Sequence, residues 1–140
     1  MDVTLFLATK ALIVNKEGRV LILRESGAYD DGTNEGAYDV PGGRLTPGEH
    51  FEDALRREIR EETGLEVSIE APISVGEWRP VVQGNQWQIV GVFFICRVEG
   101  DDIVTLSQDH DAYEWIEPGA HSSYNLVGNL SDVFETYIKR

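Results

Sequence analysis

The chain has 140 residues, of which 41% are hydrophobic, and this size predicts one domain over residues 1–140 with a sizeable apolar core. Its formal net charge of -13 disfavours a nucleic acid polymer as partner, because neutralising phosphates requires clustered Lys and Arg. A single cysteine, Cys96, excludes a disulfide within the chain, and no apolar run approaches the roughly 18 residues of a membrane-spanning helix. We therefore expect a soluble, cytoplasmic protein that binds no membrane.

The first part of the chain predicts a β-hairpin followed by a long loop. Thr4–Val14 and Val20–Leu23 are rich in β-forming residues and flank a polar turn. Arg24 ends the second strand, where a buried sheet would bring its guanidinium to the rim and a surface ion pair can form. Residues 26–36 are rich in Gly, Asp and Asn without periodicity, so this loop is either a functional lid or a flexible surface excursion.

A short strand, Ala37–Val40, leads through two glycines to a predicted helix from about His50 to Thr63. The apolar residues of this helix fall on one face: Phe51, Ala54, Leu55 and Ile59. Glu58 and Glu62 project inside the same apolar stripe, and Glu61 lies at its edge. Ordinary helix amphipathicity would place these carboxylates on the opposite, solvated face.

Carboxylates that point toward a core require a partner, because like charges at i and i+4 repel and desolvation is costly. A divalent cation meets this need, since Mg²⁺ prefers hard oxygen ligands and is often held by one or two carboxylates together with substrate phosphates. Arg57 stands next to Glu58 and four residues before Glu61, where it can orient a carboxylate. The alternative is a charged helix face with local ion pairs only.

After the helix, Gly64 predicts a left-handed C-terminal cap. Strands are predicted at Glu66–Ile69 and Ile73–Val82, interrupted by Ala71-Pro72, and at Trp87–Val98 after a turn. Three residues near this turn either stack on a base and contact phosphate, or belong to the core as strand aromatics commonly do: Trp78, Arg79 and Trp87.

The last third of the chain predicts a short strand at Ile103–Leu106, a loop, a strand at Ala112–Ile116 and a terminal helix over Leu126–Ile138. The helix carries apolar residues at helical spacing and is expected to cover the sheet. Asp109 and His110 lie in the loop before the last strand.

The stretch from Gly43 to Leu65 resembles the complete Nudix box of the Nudix hydrolase family. Its matching residues are Gly43, Glu49, Arg57, Glu58, Ile59, Glu61, Glu62, Gly64 and Leu65. The resemblance implies an α/β/α sandwich with a mixed sheet between helices. It also implies hydrolysis of a nucleoside diphosphate linked to another moiety, with Mg²⁺ or Mn²⁺ as cofactor. A dNTP, ADP-ribose, a nucleotide sugar or a dinucleoside polyphosphate would be the small-molecule substrate, and a homodimer is possible.

By the same resemblance, metal ligands are expected from the Gly43 carbonyl, Glu58, Glu61, Glu62 and Asp109. Arg57 would orient the glutamates, and substrate contacts are assigned to Arg24, Arg44, Trp78 and Arg79. The base that accepts the proton of the attacking water is left open among Glu61, Glu62, Asp109 and Glu114, with Glu61 preferred. Two other classes stay open: a catalytically idle module that senses a nucleotide or ADP-ribose, and a purely structural domain with an incidental acidic helix.

Overall fold

The computed structural model describes residues 2–29 and 31–140. Within these residues the chain forms strands β1 (Val3–Val14), β2 (Val20–Glu25), β3 (Tyr38–Asp39), β4 (Gly42–Arg44), β5 (Glu66–Trp78), β6 (Val81–Val82), β7 (Asn85–Glu99) and β8 (His110–Ile116). The helices are α1 (Phe51–Thr63), a 3-10 helix (Pro118–Ser123) and α2 (Leu130–Lys139). No helix of the described residues is long and apolar enough to span a membrane.

The strands form one mixed sheet whose central path runs β3-β2-β1-β7-β5. β1 and β7 pair in parallel along their length, whereas the other strand pairs are antiparallel. β4 extends β1, β6 extends β7, and β8 pairs with β2. Because α1 packs on one face of this sheet and α2 on the other, the predicted α/β/α sandwich is confirmed.

The centre of β1 explains why its sequence is continuously apolar rather than alternating. Ala11 and Ile13 face the α1 layer, where they pack with Leu55. Leu12 faces the α2 layer, where it packs with Phe134. A strand buried on both faces needs apolar residues at successive positions, and all five of these residues are 0% exposed.

Helix α1 begins one residue later than predicted, at Phe51, and ends at the predicted residue, Thr63. Gly64 follows in the left-handed conformation with φ of 74°, and its N–H donates to the carbonyl of Arg60 at 2.9 Å. The predicted C-terminal cap is therefore present. This cap turns the chain directly into β5 at the edge of the sheet.

The predicted hairpin is present but short, and one strand prediction after α1 was wrong. β1 and β2 pair only at Val14 and Val20, because residues 8–10 on the same edge of β1 pair with β4, whereas β7 occupies the other edge. The residues on either side of Pro72 form one strand, β5, and not two. Register shifts before and after Pro72 accommodate a residue that has no N–H to donate, and β5 lies at the edge of the sheet, where proline is tolerated.

Two further predictions, in the last third of the chain, were wrong. Residues 103–106 form no strand, although the N–H of Thr105 donates to the Thr63 carbonyl at 2.9 Å and ties this segment to the end of α1. Helix α2 begins at Leu130, not at Leu126. The residues before it pair with β3 through two backbone hydrogen bonds of Tyr38, to Asn125 and from Val127, and this tertiary pairing excludes a helix there.

Candidate active site

The site begins where β4 approaches α1. Gly43 pairs with Thr9 on β1, which holds the backbone of β4 against the inward side of the helix. A Cβ at position 43 would lie 2.7 Å from the carboxylate carbon of Glu58. A side chain at this position would displace the Glu58 carboxylate, so glycine lets the backbone of β4 lie beside that carboxylate.

Arg57 binds the carboxylates that lie near the contact between β4 and α1. Its Nε and Nη2 donate to both carboxylate oxygens of Glu49, at 3.0 and 3.2 Å. Its Nη1 lies 3.2 Å from Glu58 and 3.4 Å from Glu61. The hydrogen bonds with Glu49 are the main reason why the pKa of Arg57 is raised and the pKa of Glu49 is lowered. One guanidinium thus connects three acidic side chains.

The three glutamates differ in exposure, as their helical positions predict. The side chain of Glu58 is 20% exposed, that of Glu61 is 59% exposed, and Glu62 is half-buried. Burial raises the pKa of Glu58 above its usual value, with Arg57 opposing the shift and Glu61 adding to it. Glu58 and Glu62 therefore point inward, and Glu61 lies at the edge of the apolar stripe.

Glu62 is the most strongly perturbed of the glutamates. Burial raises its pKa to about 8, and the charges of Glu58 and Asp39 contribute in the same direction. The charge of Lys10 and a hydrogen bond from the Gly42 N–H, 3.0 Å from Glu62 Oε2, oppose the shift. Even with these partners, burial favours the protonated carboxyl when no cation is bound.

Lys10 is a cation of the sheet that the sequence analysis did not single out. Its Nζ lies 3.0 Å from Asp39 Oδ2, and its side chain is only 11% exposed. Burial lowers the pKa of Lys10, but the charges of Asp39 and Glu62 outweigh this effect and leave the pKa raised. The available signal was a lone charged residue within the apolar segment LFLATKALIV.

A cavity of about 990 Å³ collects most of the predicted site residues. We call it the carboxylate cavity, and its lining includes Gly43, Arg44, Arg57, Glu58, Glu61, Glu62 and Asp109. Asp109 reaches it from the loop before β8, where the Ser26 N–H donates to its carbonyl at 2.8 Å. Tyr29 and Asp31 also line the cavity, so part of the 26–36 loop forms one of its walls.

The donors in the carboxylate cavity suit a hard divalent cation. Glu58, Glu61, Glu62 and Asp109 offer carboxylate oxygens, and Gly43 lines the same cavity. Among residues 2–29 and 31–140, no three His, Cys, Asp or Glu side chains are already gathered into a metal-holding group. This donor set fits an ion such as Mg²⁺, which is held by one or two carboxylates and completes its octahedron with water and substrate phosphates.

Arg44 lies at one side of the carboxylate cavity, in contact with two aromatic rings. Its guanidinium carbon is 4.6 Å from the ring centre of Phe6 and 4.5 Å from that of Trp87. Its Nη2 is 3.1 Å from Asp31. The aromatic contacts hold the cation at the cavity, where it can reach an anionic ligand.

Trp78 and Arg79 line a neighbouring cavity of about 580 Å³, which we call the second cavity. Trp78 also packs against the α2-side core, which confirms the core interpretation of this residue. Its stacking on a base stays a prediction. Arg79 is exposed and pairs with Glu77 at 3.0 Å.

Two further predicted residues line neither of these two cavities. Arg24 forms an exposed ion pair with Asp111 at 2.7 Å, which favours the ion-pair alternative over a phosphate contact. Glu114 is exposed on β8 and hydrogen-bonds Tyr38, on the α2 side of the sheet. This placement disfavours Glu114 as a base acting on water near α1.

The sandwich and its carboxylate-lined cavity define a class of α/β/α protein with a candidate site for a hard divalent cation beside a helix. Comparison with known families is more specific, since the model of the NUDIX domain matches residues 4–136. This chain belongs to the Nudix hydrolase family.

Similar proteins agree with this assignment. The chain is 32% identical to nucleoside triphosphatase NudI of Klebsiella pneumoniae over 81% of this chain and 84% of that protein. It is 29% identical to a putative 8-oxo-dGTP diphosphatase of Bacillus subtilis, covering 77% of this chain and 64% of that protein. The crystal structure of a MutT protein from Methanosarcina mazei superposes with a TM-score of 0.80 at 27% identity, covering 99% of this chain and 96% of that one.

Proposed function

We propose that this protein hydrolyses a phosphoric anhydride bond in a nucleoside diphosphate that is linked to another moiety, with Mg²⁺ or Mn²⁺ as cofactor. The observation that carries the proposal is the set of contacts made by the Arg57 guanidinium. It donates two hydrogen bonds to Glu49 and also forms ion pairs with Glu58 and Glu61, all in the wall of one cavity. Family membership and the names of the similar proteins support the same reaction class.

In this proposal Glu58, Glu62 and the Gly43 carbonyl hold the divalent cation, and Glu61 and Asp109 complete its surroundings. When bound, the cation neutralises the diphosphate charge, lowers the pKa of water and stabilises the leaving phosphate. Arg57 fixes the directions of the Glu58 and Glu61 carboxylates, so that less reorganisation is needed during the reaction.

The proposed step is attack of water on phosphorus. A P–O bond to the water oxygen forms, the anhydride P–O bond breaks, and a carboxylate accepts the proton of the water. We assign this role to Glu61, which is the most exposed of the three glutamates and whose nearest cation, Arg57, is 3.4 Å away. Its carboxylate is therefore the freest of the three to accept a proton.

The decisive experiment measures release of phosphate or nucleoside monophosphate from a panel of dNTPs, ADP-ribose, nucleotide sugars and dinucleoside polyphosphates, with Mg²⁺ or Mn²⁺. We expect turnover of at least one substrate, and a loss of about 10²- to 10⁴-fold in kcat for Glu61→Gln, since this substitution removes the base. Glu62→Gln should also lose activity because it removes a charged ligand.

Glu52→Gln is the matched control, because Glu52 is an exposed glutamate of the same helix that does not line the carboxylate cavity. Its activity should match that of the unaltered protein. Absence of turnover on the whole panel, with tight nucleotide binding retained, would contradict the proposal and favour the sensor class.

A further inference from the structure

Arg44 brings a positive charge to the carboxylate cavity, and two aromatic rings limit where that charge can lie. The rings of Phe6 and Trp87, which Arg44 contacts, also pack edge to face against each other with 4.8 Å between their centres. The Arg44 side chain is 37% exposed and lines the cavity, so a ligand there can reach its guanidinium. Because a guanidinium has five N–H donors in a fixed plane, its position determines the directions from which an anion can bind.

Asp31 is an acidic partner of this guanidinium. Its Oδ2 accepts a hydrogen bond from Arg44 Nη2 at 3.1 Å, and Asp31 also lines the carboxylate cavity. Arginine forms charge-assisted hydrogen bonds with carboxylate and phosphate oxygens alike. Asp31 and a phosphate in the cavity therefore compete for one cation.

The loop that carries Asp31 is attached to the rest of the protein on both sides of that residue. Before it, Ser26 Oγ donates to the Gln108 carbonyl at 2.5 Å. After it, the Asn34 N–H donates to Glu25 Oε2 at 2.7 Å. Because these hydrogen bonds attach the loop to its neighbours, the contact between Asp31 and the guanidinium belongs to the fold and is not a chance meeting of two surface side chains.

The ion pair is weak enough to be exchanged. The side chains of Asp31 and Arg44 are 30% and 37% exposed, and ion pairs at such exposure shift an equilibrium by at most about fivefold. A pyrophosphate group carries more than one negative charge and several oxygens, so it can form more charge-assisted hydrogen bonds with a guanidinium than the one that Asp31 accepts from Nη2. A phosphate can therefore take the place of Asp31.

We infer that Asp31 is an internal competitor for Arg44, the cation that Phe6 and Trp87 position. A phosphate of the substrate displaces Asp31 from the guanidinium, and Asp31 returns to it when the phosphate product leaves. Phosphate therefore binds less tightly than it would to an unpaired Arg44, and its release does not leave the cation without an anionic partner. This inference rests on the proposed function, because the phosphates are taken to lie in the carboxylate cavity.

The test measures binding of inorganic pyrophosphate by calorimetry in EDTA, where no divalent cation bridges the ligand to the carboxylates. We expect Asp31→Asn to lower the Kd about two- to fivefold, because the competing charge is removed while the side chain keeps its size. Arg44→Gln should raise the Kd at least about tenfold, since it removes charge-assisted hydrogen bonds. A variant that folds poorly loses affinity, so a gain cannot come from damage to the fold.

A double-mutant cycle connects the gain to Arg44. In the Arg44→Gln background, Asp31→Asn should improve the affinity at least about twofold less than in the unaltered protein, because the loss of one negative charge still acts but the competition does not. Glu35→Gln is the matched control, since Glu35 is an exposed glutamate of the same loop that does not line the carboxylate cavity. Its Kd should match that of the unaltered protein.

The positioning role of the rings is tested by a change of opposite sign. Trp87→Leu should raise the Kd about two- to fivefold, because the guanidinium loses one of its two aromatic contacts, and it should have no further effect in the Arg44→Gln background. Tyr113→Leu removes an exposed ring outside the lining of the carboxylate cavity and should leave the Kd unchanged. An equal loss with and without Arg44 would contradict the positioning role.

Three results would overturn the competitor role of Asp31. These are an unchanged or raised Kd in Asp31→Asn, a gain of the same size in the Arg44→Gln background, and a gain of the same size in Glu35→Gln. Absence of pyrophosphate binding to both the unaltered protein and Asp31→Asn would also overturn it, because Arg44 would then bind no phosphate by itself.

Turnover of the substrate panel separates this inference from the proposed function. Tighter pyrophosphate binding by Asp31→Asn that depends on Arg44, without turnover of any substrate, would support the competitor role and contradict the hydrolysis. Turnover without that gain would contradict the competitor role alone. Absence of both would contradict both.

Discussion

At the scale of single residues, the closeness of Gly43 to the Glu58 carboxylate predicts the effect of adding a side chain at position 43. A methyl group at this position would lie 2.7 to 2.9 Å from the atoms of the Glu58 carboxylate. We expect Gly43→Ala to displace that carboxylate and to lower kcat/KM by about 10²-fold, as misplacement by about 1 Å can. Steady-state kinetics on the best substrate of the panel measure the effect.

The control for this variant is Gly119→Ala in the 3-10 helix, where an added Cβ meets no atom within 4 Å. Its activity should be unchanged. Full activity of Gly43→Ala would show that the backbone of β4 can shift without consequence, and that its closeness to Glu58 is not needed for the reaction.

Glu62 makes a second residue-scale prediction, about stability and pH. Its pKa is raised to about 8 in the folded protein, mainly because of burial, from the usual 4.5 of a glutamate. The folded state therefore holds a proton that the unfolded state releases, and the stability that this proton provides is lost as pH rises from about 4.5 to about 8. Urea unfolding in EDTA across this range should show that decline.

Glu62→Gln removes the titrating group, so its decline in stability over the same range should be smaller than that of the unaltered protein. Glu52→Gln, which alters an exposed glutamate, should follow the unaltered protein. Equal pH dependence for all three proteins would mean that Glu62 ionises in the folded state near its usual pKa.

At the scale of secondary structure elements, the end of α1 depends on the left-handed conformation of Gly64. Its φ of 74° is costly for any residue with a Cβ, and glycine avoids this cost. We expect Gly64→Ala to lower the free energy of unfolding by about 1 kcal/mol. Chemical denaturation measures the change, with Gly119→Ala as the unstrained control.

Activity under native conditions distinguishes the role of Gly64, after α1, from that of Gly43 in β4. Gly64 does not line the carboxylate cavity, so Gly64→Ala should retain kcat while it loses stability. Gly43→Ala should show the opposite pattern. A large loss of kcat in Gly64→Ala would indicate that the cap also sets the position of Glu61 or Glu62.

At the scale of the whole molecule, the net charge of -13 acts on every anionic ligand. Raising the ionic strength from about 0.01 M to about 0.15 M shortens the Debye length from about 30 Å to about 8 Å. This screens the repulsion, so the association rate of a nucleotide with the metal-free protein should increase. Stopped-flow tryptophan fluorescence in EDTA measures this rate.

An uncharged nucleoside is the control ligand, and its association rate should not respond to salt. A decrease of the nucleotide rate with salt would mean that the local cations Lys10, Arg44 and Arg57 outweigh the acidic surface. In that case the electrostatic potential at the cavity is positive, although the net charge of the protein is negative.

Sequence alone was sufficient for the elements whose pattern is local. The apolar stripe of α1, its acidic residues and its glycine cap are all encoded by spacing along the chain, and the structure agrees with them except at Phe51. That residue was predicted on the core face, but it is 44% exposed and only stacks its ring on Phe94 at the N-terminal end of the helix. Predictions were less accurate where partners are distant in sequence. β5 continues through Pro72 because its edge position tolerates bulges, and residues 125–127 pair with Tyr38 and do not join α2.

What the sequence by itself determined is therefore the family, the order of most elements and the orientation of Glu58 and Glu62, since helical periodicity places them on the apolar face. Only the tertiary structure decided which distant groups meet them. Lys10 approaches Glu62 because β1 lies beside β4, and Arg24 lies away from the carboxylates because β2 pairs with β8. Such encounters depend on strand order and sheet faces, which no local spacing along the chain expresses.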